Sequence, residues 1–457
     1  MKIEFIKRGA ATRLILIFAG WSTDARYYND CVVDGWDTAV VTDYRDLTAP
    51  YVPSQYSTVY IFAYSLGVAA AAVCDIQAAI RIAICGSPYP SSDRYGIPET
   101  VYSGTLDGLN ERSLTKFHLR MAGDRQTYES IKTKLPQFPD ISFLKDELVF
   151  IRENIYNING SHSDIVFHRV YLAEDDRIFP YENLKSFWKE KTETEIVSLK
   201  QPHAVDIASI VKECLPDTKA IEEGFARASR SYNENAVIQK EICQRMCDRL
   251  ETMLRDIQID VVSLLEIGAG NGLLTQGWSR LLTPGEATYV DLAEMPLFEA
   301  AKKERYINAD AETWLEACGQ RFDIILSAST IQWFADPVRF ISTLRRHLNP
   351  GGFAILSTFV KGNLYEFDAL RPAPIFYKTE KEYTAAAEDI ETETWERVLH
   401  FKSAKEMLMH IRLTGVSPRR SSRKTGVKNG ESPAEAVKLT GLYNRMTYRP
   451  MIVIIRN

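Results

Sequence analysis

Phe62-Ala63-Tyr64-Ser65-Leu66-Gly67 is an apolar strand that runs into a serine flanked by small residues. Helical sequence follows, and a serine on such a strand-to-helix turn is held out as a nucleophile. Far along the chain, Leu265-Glu266-Ile267-Gly268-Ala269-Gly270-Asn271-Gly272 is a second buried strand, ending in a glycine-rich turn. Glycines there let the backbone approach a bound group closely. The two stretches belong to different chemistry, so the chain reads as two enzymes in one polypeptide.

Outward from the first stretch, the runs Lys2–Lys7, Arg13–Phe18, Thr38–Val41, Val59–Ala63 and Arg81–Cys85 read as strands. Helical periodicity between several of them predicts a doubly wound, mostly parallel sheet. From Pro88 to about His162 the pattern turns helical, at Leu109–Met121 and Leu144–Asn157, which predicts an inserted cap (about 88–162). The sheet resumes with Phe167–Leu172 and Glu195–Leu199. The break at Leu215-Pro216-Asp217-Thr218 sets the expected domains at 1–217 and 218–457.

In the second domain an amphipathic helix is expected from Asn235 to Met253. Strands follow at Ser263–Ile267, Ala287–Asp291, Arg305–Ala309, Phe322–Ser327, Gly352–Thr358 and Tyr448–Arg456. Val416–Ser432, rich in Arg, Lys, Ser and Gly, is expected to be a mobile loop.

At 457 residues the chain is too long for one core. A net charge of −5 makes no case for nucleic acid or a membrane surface as partner. No apolar run approaches the roughly 18 residues of a membrane helix, and the N-terminus lacks a signal-peptide core. Seven scattered cysteines read as reduced thiols of a cytoplasmic protein. Cys243 and Cys247 share a helix face but lack further Cys or His nearby, so no metal site is expected.

Ala63 and Gly67 meet the steric demand of a nucleophile turn at Ser65, with Ala in place of the usual first glycine. Asp176, four before Pro180, follows the Phe167–Leu172 strand, and His203 follows the last strand. The order Ser, Asp, His is that of the α/β-hydrolase fold. His203 would take the Ser65 proton and Asp176 would orient the imidazole. The backbone N–H groups of Leu66 and Trp21 are the expected oxyanion donors. His118, His162 and His168 are expected to have packing or solvent roles.

Glu266-x-Gly268-x-Gly270-x-Gly272 has the glycine spacing of S-adenosylmethionine-dependent methyltransferases, which differs from that of dinucleotide-binding turns. Asp291 ends the next strand, where a carboxylate can accept both ribose hydroxyls. Asp310, followed by Ala311, ends the third and can bond the adenine amino group. Ser327 to Trp333 leaves the fourth strand and would border the transferred methyl. No general base stands near these strand ends. A carboxylate acceptor, already nucleophilic, needs only alignment. The fold class expected is therefore α/β with two doubly wound domains, an α/β-hydrolase with a helical cap followed by a Rossmann-like class I methyltransferase.

Residues 221–457 resemble the malonyl-acyl-carrier-protein O-methyltransferases of biotin synthesis. The carrying residues are Phe225-Ala226-Arg227-Ala228, Ser231-Tyr232-Asn233, Ala236-Val237-Ile238-Gln239, Leu265–Gly272, Ile331-Gln332-Trp333-Phe334 and Ser357-Thr358-Phe359 with Leu364. Residues 1–216 resemble the pimeloyl-carrier-protein methyl ester esterases of the same pathway. That likeness rests on Phe18-Ala19-Gly20-Trp21, Asp43-Tyr44-Arg45, Tyr64–Gly67, Gly86-Ser87-Pro88 and Pro202-His203.

The resemblance implies that S-adenosylmethionine is the methyl donor. The partner would be an acyl carrier protein bearing malonyl or pimeloyl methyl ester groups. Methylation would mask a carboxylate that costs several kcal/mol to bury unpaired in fatty-acid synthesis sites. Carrier proteins are acidic, so Arg112, Lys116, Arg120, Lys132 and Lys134 in the cap, and Arg419, Arg420, Arg423 and Lys424 later, are candidate docking cations. Arg227 or Tyr232 would hold the acceptor carboxylate. Other readings are an unrelated acyl hydrolase or thioesterase fused to a small-molecule methyltransferase, and a carrier-binding scaffold with one inactive centre.

Overall fold

The computed structural model describes residues 1–159, 165–256, 263–366, 375–414 and 445–457. They divide into two compact units, Met1–Glu213 and Cys214–Asn457. The expected mobile loop Val416–Ser432, its four candidate docking cations and His162 lie outside the described residues.

In the first unit, β1 (Lys2–Lys7), β2 (Arg13–Phe18), β3 (Asp37–Thr42), β4 (Thr58–Tyr64), β5 (Ile80–Ile84), β6 (Arg169–Ala173) and β7 (Glu195–Leu199) form one sheet. Their order is β1-β3-β2-β4-β5-β6-β7, with β1 antiparallel to β3 and the other pairs parallel. The central strands β4, β5 and β6 are buried along their whole length and β2 along all but Arg13, so their sequences are mostly apolar on both faces. Helix α1 (Gly67–Ala72) leaves β4 directly.

Between β5 and β6 stand α2 (Glu99–Asp107), α3 (Glu111–Ala122), α4 (Arg125–Lys132) and α5 (Ile141–Asn159), the cap expected from the sequence. Asn110 and Asp124 cap α3 and α4 through their side chains, which fixes where these helices begin. Helices α6 (Tyr181–Lys189) and α7 (Ile207–Cys214) follow β6 and β7.

The second unit opens with two helices, α8 (Thr218–Asn235) and α9 (Val237–Asp256), where the sequence reading placed one from Asn235. Asp217 accepts from the Ala220 amide and starts α8, and Ala236, at ψ 57°, breaks the run. We retain 217/218 as the proposed domain boundary, at that cap.

Then come β8 (Ser263–Ile267), α10 (Thr275–Trp278), β9 (Glu286–Asp291), β10 (Lys303–Asn308), α11 (Ala311–Ala317), β11 (Phe322–Ser327), α12 (Pro337–Leu344) and β12 (Leu348–Phe359). The described chain ends with α13 (Glu380–Thr384), β13 (Glu391–Thr394), β14 (Arg397–His400), α14 (Ala404–Leu413), β15 (Arg445–Tyr448) and β16 (Pro450–Arg456). The sheet order is β10-β9-β8-β11-β12-β16-β13, parallel through β12, while β14 and β15 pair separately. The order reverses between β8 and β11, and such a switch point is where open α/β sheets bind ligands. Among the described residues no helix is long and apolar enough to cross a membrane.

Candidate active sites in the two units

Ser65 follows β4 in the left-handed region at φ 56°, so its side chain is thrown out at the strand end. Close packing enforces the turn. A Cβ on Gly67 would lie 2.4 Å from the Phe18 carbonyl oxygen, and one on Gly86 would lie 2.2 Å from that of Ser65. The Ser65 amide donates to Ile84 O at 2.8 Å.

His203 Nε2 stands 3.0 Å from Ser65 Oγ, and His203 Nδ1 stands 2.7 Å from Asp176 Oδ2. The other carboxylate oxygen accepts the amides of Ile178 and Phe179 at 2.7 and 2.9 Å, which orients the acid. Phe179 stacks on the His203 ring, and Tyr64 Oη donates to the His203 carbonyl. Both triad partners have fully buried side chains, so their hydrogen bonds act without competing water. The Cys85 sulfur lies within 4.8 Å of the Asp176 and His203 ligand atoms, and burial pushes its thiol up, which keeps it neutral.

The Trp21 and Leu66 amides, the two expected oxyanion donors, make no hydrogen bond to other described residues. The turn that carries Trp21 is braced: Gly20 N donates to Tyr28 Oη, and Tyr44 Oη donates to Ala19 O. The cap clasps the same turn. Trp21 Nε1 donates to Leu144 O at 3.1 Å, and its ring meets Phe117 edge-on. Glu147 of α5 accepts from the Tyr44 amide at 2.8 Å, and burial raises its carboxyl to about 7. The Ala204 amide donates to Met121 O, so the His203 loop also rests on the cap.

Over Ser65 the cap covers a cleft walled by apolar side chains including Ile97, Val101, Phe117 and Leu148. Arg120 and Arg177 line it too. Of the other candidate docking cations, Lys134 pairs with Asp30, and Arg112, Lys116 and Lys132 are exposed. His118 is buried against Ser22, and desolvation lowers it to about 4; the His168 ring accepts from the Arg81 amide.

In the second unit the three glycines of the turn all have positive φ, 70°, 51° and 76° at Gly268, Gly270 and Gly272. A Cβ on Gly268 would collide with Thr330, and one on Gly272 with Phe298, whereas Gly270 borders open space. Asp291 Oδ2 accepts from Gly270 N and its Oδ1 from Ala293 N, which couples the turn to the end of β9. A positive-φ glycine cradle beside a strand-end carboxylate fits an adenosine-type cofactor at this switch point.

The remaining expected cofactor residues stand at the same strand ends, and each polar one has a partner within the protein. Glu266 Oε2 accepts from Thr275 and Trp278, so it ties the turn to α10, and burial raises its carboxyl to about 7. Asp310 Oδ1 caps α11 by accepting from Glu312 and Thr313, and Ala311 opens that helix as a buried residue. Ser327 is fully buried and donates its hydroxyl to Ile267 O, which makes it a strut between β8 and β11. Arg227 is exposed, whereas Tyr232 lines a pocket next to the turn with Phe225, Gln332 and Trp333.

The chain is similar to known proteins in both units. Residues 1–205 match the family model "Pimeloyl-ACP methyl esterase BioG", and residues 265–354 match "Methyltransferase domain". A malonyl-[acyl-carrier protein] O-methyltransferase of Bacteroides fragilis is 30% identical over 420 residues, covering 88% of this chain and 84% of its own length. One from Chlorobium phaeovibrioides is 30% identical over 255 residues, covering 52% of this chain and 96% of its own. The crystal structure of BioG from Haemophilus influenzae is 27% identical with a TM-score of 0.42, covering 45% of this chain and 94% of that one. The plantazolicin methyltransferase BpumL in complex with SAH is 14% identical with a TM-score of 0.31, covering 52% and 94%.

Proposed function

The chain belongs to the malonyl-[acyl-carrier protein] O-methyltransferase family, and we propose that its two units install and later remove one methyl ester on a carrier-bound acyl chain. The second unit is a methyltransferase domain that depends on S-adenosylmethionine. That cofactor supplies an electrophilic methyl group. Gly268, Gly270 and Asp291 would hold it, and the residues after β11 would align the malonyl carboxylate.

The observation that carries the esterase reading is the Ser65–His203–Asp176 array under an apolar cleft. His203 Nε2 takes the Ser65 proton as Oγ attacks the ester carbonyl, and Asp176 holds the imidazolium. The Trp21 and Leu66 amides receive the oxyanion. His203 then returns the proton to departing methanol, and water, activated by the same histidine, releases the acid.

The esterase must spare the malonyl ester made by the other unit. Pimeloyl is four methylenes longer, roughly 5 Å at about 1.2 Å per extended bond. A carrier protein seated on the cap would deliver only the longer ester to Ser65. The setting would be the cytoplasm, in keeping with free, largely buried thiols.

The test is to incubate the full chain with malonyl carrier protein and methyl-labelled S-adenosylmethionine, comparing wild type with Ser65→Ala. Label on the carrier in both is expected. Label only in Ser65→Ala would refute discrimination by length, and label in neither would refute the methylation reading. With pimeloyl methyl ester carrier protein, only the wild type should release methanol.

A further inference from the structure

Among the described residues, eight buried side-chain polar atoms have no hydrogen-bond partner. Three of them, Ser329 Oγ, Gln332 Oε1 and Trp333 Nε1, belong to residues that line one pocket of the second unit. A buried donor left unmade costs about 1–3 kcal/mol, so orphans gathered on one wall point to a ligand that completes them.

The backbone adds a second, independent sign. Ser329 lies at φ 53°, a conformation that costs a non-glycine residue about 1–3 kcal/mol and collects at binding sites. It is held there by its amide, which donates to Ser357 Oγ, and by Gln332 Nε2, which donates to the Ser329 carbonyl. Trp333 is set by edge-on packing against Phe225 of α8. Between them, Thr330 touches Gly268, so this segment forms the wall of the glycine turn.

The described lining of the pocket is aromatic, apolar and uncharged polar, with Tyr232, Ser329 and Trp333 as hydrogen-bond donors. We propose that Ser329 Oγ, Trp333 Nε1 and the Tyr232 hydroxyl form an uncharged donor cradle for the acceptor carboxylate. The proposal rests on the reading of this unit as a malonyl-carrier methyltransferase. Gln332 Oε1, an acceptor, stays outside the cradle, and Gln332 serves to position Ser329.

Uncharged donors suit this reaction chemically. A guanidinium would stabilise the carboxylate most before reaction and would then be left buried against a neutral ester. Neutral donors bind the anion through charge-assisted hydrogen bonds and can still bond the ester oxygen afterwards. Ground-state binding is thereby kept modest, and nucleophilicity is preserved.

The test is calorimetric titration of the full chain, saturated with S-adenosylhomocysteine, by malonyl and by acetyl carrier protein. Wild type should prefer malonyl, whose extra group is the carboxylate. Trp333→Phe, which keeps the ring packing, and Ser329→Gly, which removes the hydroxyl and suits the positive φ, should each cut that preference about tenfold, with acetyl affinity unchanged. Unaltered S-adenosylhomocysteine affinity identifies a folded variant, and either variant alone decides the matter if the other fails this check. A wild-type preference that survives in the folded variants overturns the cradle. A wild type with no preference overturns the acceptor reading, and the cradle with it.

Discussion

Asp176→Asn isolates one proton. The amide has the size of the carboxylate, and the two positions it can take differ sharply in energy. With its oxygen on the Ile178 and Phe179 amides, both backbone bonds, 2.7 and 2.9 Å in the native site, are kept. The NH₂ group then faces His203 Nδ1. Reversing the amide would set NH₂ against two buried N–H donors, a loss on the order of 2–6 kcal/mol for the pair. The first orientation therefore dominates by at least about 30-fold. It makes Nδ1 an acceptor, puts the imidazole proton on Nε2, and turns that atom from a base into a donor toward Ser65 Oγ. A triad histidine trapped in this tautomer loses about 10,000-fold in kcat. The assay is methanol release from pimeloyl methyl ester carrier protein, with the thermal midpoint as control. A midpoint within a few degrees of wild type and a kcat loss of about 1,000- to 10,000-fold are expected. A variant within tenfold of wild type would refute the assignment of Asp176 as the orienting acid.

Glu147→Gln should stabilise the first unit in alkaline solution and leave it little changed in acid. Burial lifts the Glu147 carboxyl from 4.5 to about 7, so its contribution is intact below about pH 4.5 and lost as pH rises through 7. The gap in favour of glutamine, which can keep the Tyr44 bond, should grow to on the order of 3 kcal/mol by pH 8. Hydrogen exchange of β2 and β4 peptides in the full chain reads it, and a gap that shrinks with pH would contradict the burial argument. Gly270→Ala and Gly268→Ala should part company in the second unit. The first meets open space but puts a Cβ at φ 51°, a cost of about 1–2 kcal/mol, so it should lower the melt by only a few degrees while weakening S-adenosylhomocysteine binding at least tenfold. The second adds a methyl driven into Thr330 to the same backbone strain and should lower the melting temperature clearly further, and equal effects on both readouts would argue against a cofactor cradle at Gly270.

The triad was legible in the sequence because each member sits just past a parallel strand, where chain order alone assigns an end of the sheet. Ser65 follows β4, Asp176 follows β6 and His203 follows β7. The glycine turn was legible for the same reason. The hydrogen-bond partners of the strand-end side chains were not, because a residue type at a strand end does not say which way the side chain is spent. Glu266 is spent on Trp278 and Ser327 on the neighbouring strand. The clasp between Glu147 and Tyr44 joins residues 103 apart through a backbone amide, which leaves no pattern in either segment. Ser329 is the sharper case. A strand's alternation assigns sides only while φ stays extended, and the reversal at 53° sends the segment off the sheet toward α8. The change that turns Ser329 and Trp333 into orphan donors is thus a backbone event, invisible to periodicity. It separates them from Ser327, which a linear reading had grouped with them as one methyl-bordering stretch. Two serines of one short segment therefore have opposite fates: one satisfied inside the sheet, the other left for a ligand to complete.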